Sequence, residues 1–231
     1  MIHESPIVER HGKFHVVRDD MIPGGTKQIP LRHWLPELDA AHFVYAASIF
    51  GKGGAALAYA CAELGFKATL FIARTDKNVP WVTEVQKIGA TIIWTDFMTV
   101  DRIEELAWDH AMETGATYLP LGFATAAFAQ HLGNYARKLP FEPAEIWCPV
   151  VSGTMAGALE EAFPNAAIKG VAVVKHHNYQ GKGQVYNALE KFVRGAAIPP
   201  PFPSWTYSDA KIWRFAQKFG AEDAVIWNSN A

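Results

Sequence analysis

The sequence has little cysteine, and its charges are nearly balanced. Among 231 residues there are two cysteines, Cys61 and Cys148, and each lies in an apolar run. Two reduced, buried thiols are therefore favoured over one disulfide, which stays open as an alternative. The 21 basic and 23 acidic side chains give a net charge of −2, and neither sign forms a long run. This pattern argues against a nucleic-acid partner.

Long apolar segments are also missing. A helix that spans a bilayer takes roughly 18 apolar residues, and no segment of this sequence approaches that length. Residues 1–13 alternate between polar and apolar types and lack the apolar stretch of a secretory signal. We therefore expect a cytoplasmic protein with no membrane partner. Because half of the residues are hydrophobic, the chain can bury a substantial core in one domain or two small lobes.

From residue 43 onward, short β-rich runs alternate with longer helical patterns. This order is typical of parallel strands joined by crossover helices, and it predicts an α/β fold. The predicted strands cover residues 43–47, 68–73, 91–95, 117–120, 145–151, 168–174 and 224–227. Loops are predicted at residues 175–182 and around the prolines of 199–203.

Helices are predicted between these strands from their apolar spacing and their end signals. Gly65 suits a left-handed cap after a helix over 54–64, and Pro80 suits the first turn of the next helix. Asp101 and Glu104 resemble a capping box, and Thr125 suits the N-cap of a helix that Pro140 stops. A further helix is predicted over residues 154–162.

The first segment with chemical content is residues 18–27, RDDMIPGGTK, in which a strand-like run enters a glycine turn and Lys27 begins a helix. Partial burial and the positive end of a helix would both lower the pKa of this amine. An amine that is neutral part of the time can form a Schiff base. Alone the pattern is weak, because most lysines at helix starts are solvated.

The second segment is residues 152–157, SGTMAG, between a predicted buried strand and a predicted helix. Backbone amides that converge at a helix N-terminus can bind a phosphate group. A tight turn that needs glycine for its geometry is an equal alternative. A nucleotide P-loop fits less well because no Gly-Lys-Ser/Thr occurs here. We predict no metal site, because His176 and His177 are adjacent and lack a third ligand at suitable spacing.

Together these segments resemble the fold type II pyridoxal-phosphate enzymes, the tryptophan synthase β-subunit superfamily. The nearest branch is that of aminocyclopropane-carboxylate deaminase and D-cysteine desulfhydrase. In that branch an Arg-Asp-Asp strand leads to Gly-Gly-Asn-Lys, and here the matching residues are Arg18, Asp19, Asp20, Gly24, Gly25, Thr26 and Lys27. The family's mid-chain glycine loop is similar to residues 122–125, and its phosphate loop is similar to residues 153–157.

The resemblance extends to the C-terminal part of the chain, where the family has a tyrosine before the residue that faces the pyridine nitrogen. Residues 207–211, Tyr-Ser-Asp-Ala-Lys, are similar. One segment departs from the family pattern. Residues 48–52 read Ser-Ile-Phe-Gly-Lys, where the branch has Gly-Gly-x-x-Ser-Asn before a helix. The chain is also shorter than most members of the superfamily.

The resemblance implies two lobes of parallel-type β-sheet with flanking helices. Residues 1–40 with 141–231 would form the larger, cofactor-anchoring lobe, and residues 41–140 the smaller α/β lobe. The active site would lie in the cleft between them, and the protein would be a homodimer. The implied cofactor is pyridoxal 5'-phosphate, held as an internal aldimine on Lys27.

Specific roles follow from the same resemblance. Lys27 and Tyr207 would be the catalytic residues, and Ser208 would meet the ring nitrogen, which favours β-elimination or replacement chemistry. Thr125 would bind the substrate. Gly51 and Lys52 stand at the family's Ser-Asn positions, and Lys52 at a helix N-terminus would bind a substrate carboxylate or phosphate, with a solvated loop lysine as an equal alternative. The remaining cofactor-binding residues would be those of the phosphate loop, Gly153, Thr154, Met155, Ala156 and Gly157.

The resulting functional prediction is an enzyme that acts on a small amino acid. The predicted reaction is a lyase-type β-elimination, deamination or desulfhydration, and an amino-acid racemase is possible from the same residues. The alternative from another class is a protein that keeps the fold and binds phosphate or cofactor without catalysis. The departure at residues 48–52 and the short chain motivate this alternative.

Overall fold

A computed structural model gives the fold and describes residues 4–77 and 79–231. Within these ranges the strands are β1 (Val8–His11), β2 (Phe14–Arg18), β3 (His42–Ala46), β4 (Lys67–Ala73), β5 (Thr91–Thr95), β6 (Thr117–Leu119), β7 (Glu145–Val150), β8 (Ala167–Ala172), β9 (Gln184–Asn187) and β10 (Val225–Asn228). The α-helices are α1 (Gln28–Trp34), α2 (Gly53–Leu64), α3 (Pro80–Lys87), α4 (Val100–Thr114), α5 (Ala126–Ala136), α6 (Thr154–Ala162) and α7 (Ile212–Phe219). None of the described helices is both long and apolar enough to cross a membrane.

The larger sheet has six strands in the order β1-β2-β10-β7-β8-β9. β1 and β2 form an antiparallel hairpin through Gly12, which has a φ of 60°, and all other neighbours pair in parallel. β2 and β10 come from opposite ends of the chain, with Val16 paired to Ile226. This pairing brings the turn that carries Lys27 beside the end of the C-terminal strand.

The smaller sheet has four parallel strands in the order β5-β4-β3-β6. Its central strands are continuous apolar runs because helices cover both faces. Phe43 and Leu70 lie in the core with α2, whereas Val44 and Phe71 pack with the apolar side of α4. α2 is rich in alanine and ends at Gly65, whose φ of 71° is the left-handed cap that the sequence predicts.

One buried core runs through both sheets. It contains Val17, Ile146 and Trp227 from the larger sheet together with Phe43 and Leu70 from the smaller one. α1 packs against α2 and α5, and α5 packs against α6, so these helices lie between the sheets. The larger sheet uses residues 8–18 and 145–228, and the smaller uses 42–119. The lobe boundaries near residues 40 and 141 stay a prediction.

The α/β class is confirmed, and so are the seven predicted strands, whose ends lie within two residues of the prediction. β1, β2 and β9 are missing from the predicted strands. β1 and β9 are four-residue edge strands with mostly half-exposed side chains, and of β2 the sequence indicates only a strand-like run that enters the turn after Arg18. The predicted capping box was wrong. α4 begins after Thr99, and the Glu104 carboxylate accepts hydrogen bonds from the Tyr118 hydroxyl at 2.7 Å and the Leu121 amide at 3.3 Å.

Candidate active site

A cavity lies where the carboxyl ends of strands from both sheets meet, which is the usual place for a site in parallel sheets. Its volume is about 100 Å³, and it is partly open to solvent. The segments that follow β3, β6, β7 and β10 all contribute to its walls. The polar residues that line it are Lys27, Tyr45, Ser48, Lys52, Ser152, Ser208, Asp209, Ser229 and Asn230.

Lys27 is the N-cap residue of α1, and its amine points into this cavity. The Nζ atom lies 3.5 Å from the carbonyl oxygen of Gly122 and 5.5 Å from the centre of the Phe123 ring. Burial lowers the pKa of the Lys27 amine, and the negative charge of Asp209 raises it. Burial has the larger effect, and the resulting pKa is about 8. At pH 7 roughly a tenth of an amine with this pKa is neutral, compared with about one part in 3,000 for an ordinary lysine.

The turn before Lys27 explains why the sequence has two glycines there. Gly25 has a φ of 69°, and a side chain at this position would overlap Asn230 Oδ1 and the carbonyl oxygen of Ser229. A Cβ at Gly24 would lie 2.8 Å from the Cα atom of Ala56 in α2. The turn therefore lies in close contact with the end of β10 on one side and with α2 on the other, and neither position has room for a side chain.

The N-terminus of α6 forms a second wall. Its N-cap residue is Gly153, with a φ of 97°, and a Cβ there would lie 2.5 Å from the backbone nitrogen of Tyr179. The hydroxyls of Ser152 and Thr154 are 3.1 Å apart beside this terminus. Gly122 approaches so closely that a side chain on it would overlap Ser152. These hydroxyls and the helix amides make a site suited to an anion.

Of the predicted phosphate-loop residues, Gly153 and Met155 line the cavity. Thr154 and Gly157 instead line a neighbouring groove that shares Ser152 and Gly153 with the cavity. Ala156 is fully buried inside the protein. Contact of these residues with a phosphate stays a prediction.

The third wall comes from the C-terminal part of the chain. Ser208 lines the cavity, and its hydroxyl donates to Asp209 Oδ2 at 2.6 Å. Asp209 Oδ1 accepts from the Ser229 amide at 2.7 Å and from the Ser229 hydroxyl at 2.5 Å. Burial raises the pKa of Asp209, and these hydrogen bonds oppose the rise. Ser208 therefore belongs to a hydroxyl–carboxylate pair at the cavity wall.

The segment after β3 of the smaller sheet contributes Lys52, the N-cap residue of α2, together with Gly51. Lys52 Nζ lies 4.7 Å above the ring of Trp205, whose indole donates to the carbonyl of Phe50 at 2.6 Å. Burial lowers the pKa of Lys52, and the charges of Glu84 and Asp209 act in the opposite direction. Within residues 4–77 and 79–231 this ammonium has no hydrogen-bond or ion-pair partner, so it can bind an anion in the cavity.

Two further predicted site residues, Tyr207 and Thr125, lie outside the cavity wall. The Tyr207 ring packs 5.0 Å from Phe50 and 5.4 Å from Trp205. Thr125 accepts a hydrogen bond from the Phe128 amide at 3.2 Å and so caps α5, as the sequence predicts. Thr125 also faces the neighbouring groove. A catalytic role for Tyr207 and a substrate contact for Thr125 stay predictions.

Known proteins were compared with the chain in sequence and in structure. No protein-family model and no curated protein matches the sequence. Solved structures do match the fold. An ACC deaminase homologue superimposes with a TM-score of 0.80 at 13% identity, covering 94% of this chain and 84% of its own. Threonine deaminase isoform 2 from Solanum lycopersicum gives 0.75 at 15% identity, with coverage of 99% and 84%.

A third neighbour is diaminopropionate ammonia lyase from Escherichia coli, solved with an aminoacrylate–PLP azomethine reaction intermediate. It superimposes with a TM-score of 0.67 at 14% identity and covers 94% of this chain and 79% of its own. The chain has the fold of the fold type II pyridoxal-phosphate enzymes. The predicted resemblance is therefore confirmed for the fold, and at these identities the roles of single residues belong to a proposal.

The cofactor of fold type II enzymes is pyridoxal phosphate, which has an aldehyde, a phosphate and a ring nitrogen on one small ring. The cavity offers a counterpart for each, in the Lys27 amine, the N-terminus of α6 with the Ser152 hydroxyl, and the Ser208–Asp209 pair. The residues present therefore fit the group.

Sequence reasoning missed several residues of this site. Asp209 follows Ser208 in the segment that resembles the family, but the sequence indicates no role for it. Its burial becomes evident only in the three-dimensional structure. Phe192 lines the cavity from a segment without regular structure, and Asn230 reaches it after β10. An acidic residue in the apolar setting of residues 205–213 was the available signal for Asp209.

Proposed function

We propose that the protein is a pyridoxal-phosphate-dependent enzyme that acts on a small amino acid by a lyase-type elimination, deamination or desulfhydration. The observation that carries this proposal is the position of the Lys27 amine. It shares one small cavity with the anion-suited N-terminus of α6 and with the Ser208–Asp209 pair. The fold of the structural neighbours supports the same conclusion.

When bound, the cofactor would act as an electron sink for the α-carbon of the substrate. Lys27 would hold it covalently through Nζ and, once released from that bond, would accept the α-proton at the same atom. The lowered pKa of the Lys27 amine suits both tasks, because each requires a neutral amine near pH 7. Gly153 and the amides that follow it would bind the phosphate.

Ser208 would face the ring nitrogen. Because the Ser208 hydroxyl donates its proton to Asp209, the oxygen presents lone pairs toward the cavity. An oxygen in this state accepts a hydrogen bond from a protonated ring nitrogen, and the adjoining carboxylate strengthens it as an acceptor. The pair therefore differs from an isolated serine, and it supports a stronger electron sink than the sequence alone predicts.

Lys52 would bind the carboxylate of the substrate, with the backbone of Gly51 beside it. The ammonium is partly desolvated over Trp205, which strengthens its attraction for an anion. The cavity volume of about 100 Å³ is below the roughly 300–1,000 Å³ typical of ligand sites. We therefore expect the cavity to widen when the cofactor binds and to leave room for only a small amino acid.

The test is reconstitution of the purified protein with pyridoxal phosphate. Wild type is expected to gain the visible absorbance of the protein-bound cofactor, and Lys27→Ala is expected to lack it. The reconstituted protein is then mixed with small D- and L-amino acids, and keto-acid and ammonia release is measured. Release from at least one substrate supports a lyase, whereas inversion of configuration without release identifies a racemase.

The second candidate is a protein that binds the cofactor or phosphate without catalysis. The observation in its favour is Gly51-Lys52, which removes the hydroxyl and the amide that the family has before α2. A stable visible band that no amino acid in the panel changes would support this candidate. A protein that stays colourless after reconstitution would refute the enzyme and the cofactor binder, and a protein that in addition shows no binding of inorganic phosphate would refute the second candidate entirely.

A further inference from the structure

Asp19 is a buried carboxylate behind the cavity wall, in the short 3-10 helix Asp19–Met21 that follows β2. Its side chain is almost fully buried, with 1% of the residue exposed. Three donors surround it. The Thr26 hydroxyl and the Trp227 indole donate to Oδ2 at 2.6 and 3.2 Å, and the Tyr135 hydroxyl donates to Oδ1 at 2.6 Å. Asp19 thus joins the lysine turn, β10 and α5.

Thr26, the residue immediately before Lys27, is held from several directions. It is fully buried, its hydroxyl donates to Asp19, and its Oγ1 atom accepts from the Trp227 indole at 3.1 Å. Its amide donates to the carbonyl of Ser229 at 3.0 Å. Because Lys27 is the next residue and caps α1, these bonds set the direction in which the lysine side chain leaves the backbone.

The donors of Asp19 are all neutral groups. Among the described residues Asp19 has no ion-pair partner, and the charge that acts on its pKa is the like charge of Asp20, which itself pairs with Arg18. Tyr135 is the titratable group that faces it from α5. A buried carboxylate without a cation is unfavourable, and burial raises its pKa to about 6. A neutral residue at this position would cost less folding free energy, so the presence of a buried carboxylate suggests that it has a function.

We propose that Asp19 is the positioning residue of Lys27: its carboxylate fixes Thr26 and thereby aims the lysine amine into the cavity. This inference rests on the proposed function, in which Lys27 is the reacting amine. Alanine at position 19 removes both acceptor oxygens, so the Thr26 hydroxyl and the Trp227 indole lose their shared partner and the lysine turn loses a fixed point. Asparagine is a weaker test, because its NH2 group can donate to the Tyr135 hydroxyl while its oxygen still accepts from Thr26 and Trp227.

The test measures the amine of Lys27 in cofactor-free protein. An amine-reactive reagent is applied over a range of pH, and the rate at each lysine is followed by peptide mass spectrometry. In wild type the rate at Lys27 should rise with a midpoint near its pKa of about 8. In Asp19→Ala and in Thr26→Val, which remove the acceptor and the donor of the bond between residues 19 and 26, the Lys27 amine should be held less firmly in the buried site. The midpoint should move upward, and the rate at Lys27 at pH 7 should fall tenfold or more.

Tyr135→Phe is the matched control, since it removes a donor to the same carboxylate without touching the lysine turn. It should lower thermal stability and leave the Lys27 midpoint in place. If Asp19→Ala folds and its Lys27 midpoint equals that of wild type, the proposal is overturned. If Asp19→Ala does not fold, Thr26→Val decides in the same way. Cofactor plays no part in this assay, so failure of reconstitution refutes the proposed function and not the role of Asp19.

Discussion

Replacing Lys27 with methionine should make the cofactor-free protein more stable at neutral pH. Methionine has a similar length but no charge, so it removes an ammonium from a site that disfavours charge. The pKa of Lys27 falls from 10.5 to about 8 on folding. At about 1.4 kcal/mol per unit, the folded protein pays up to roughly 3 kcal/mol at pH 7 to keep this amine protonated. The weak contact to the Gly122 carbonyl, at 3.5 Å, offsets part of the gain.

The stability difference between wild type and Lys27→Met should also change with pH in a defined direction. Between pH 8 and 10.5 the unfolded chain binds more protons at this lysine than the folded protein does. The stability of wild type should therefore rise with pH through that window relative to Lys27→Met. The advantage of the variant is largest below pH 8 and shrinks above it.

The assay is urea denaturation of both cofactor-free proteins at pH 7 and at pH 9.5, with Lys13→Met as a control. Lys13 donates to the Gly220 carbonyl at the far end of the larger sheet, so its substitution should give no stability gain. A Lys27→Met protein that is less stable than wild type at pH 7, or a difference that stays constant with pH, would refute the claim that this amine is held in a desolvated site.

The remaining predictions concern three other walls of the cavity. Gly153→Ala should destabilise the protein by roughly 1–3 kcal/mol and weaken cofactor binding, because φ is 97° and the new Cβ would press on Tyr179. Gly157→Ala, whose Cβ would meet nothing within 4 Å, is its control in the same melting and titration experiments. Lys52→Met should raise the KM for amino acids tenfold or more and leave the visible spectrum of the cofactor unchanged, since a charged hydrogen bond contributes about 1.5–3 kcal/mol. Asp209→Asn should lower the pKa of Lys27 below about 8, because the charge of Asp209 raises it, and an upward midpoint in the amine-modification assay would contradict this.

Much of the fold follows from local sequence. Central strands such as β4 and β7 are apolar runs of six or seven residues. Such runs can be recognised from sequence, because parallel strands are buried on both faces. The glycines before Lys27 and at position 153 can be recognised for a similar reason. Each marks a place where the backbone must come close to another segment, and the structure shows what that segment is.

Other parts of the site depend on long-range packing that local patterns do not contain. Asp209 becomes a cavity residue only because Ser229, which follows the C-terminal strand, donates to its carboxylate. Phe192 reaches the cavity from an irregular segment that no periodicity marks. Glu104 looked like part of a capping box, but its carboxylate accepts from Tyr118 on the neighbouring strand instead. In each case a residue distant in sequence decides the role.

The central claim is that Lys27 is the residue that bonds to pyridoxal phosphate. It is tested most directly by incubating the protein with the cofactor, reducing with borohydride, and locating the modified lysine by peptide mass spectrometry. The account predicts a single major phosphopyridoxyl adduct on Lys27, absent from Lys27→Ala. An adduct on Lys52, adducts spread over exposed lysines, or no adduct at all would contradict it.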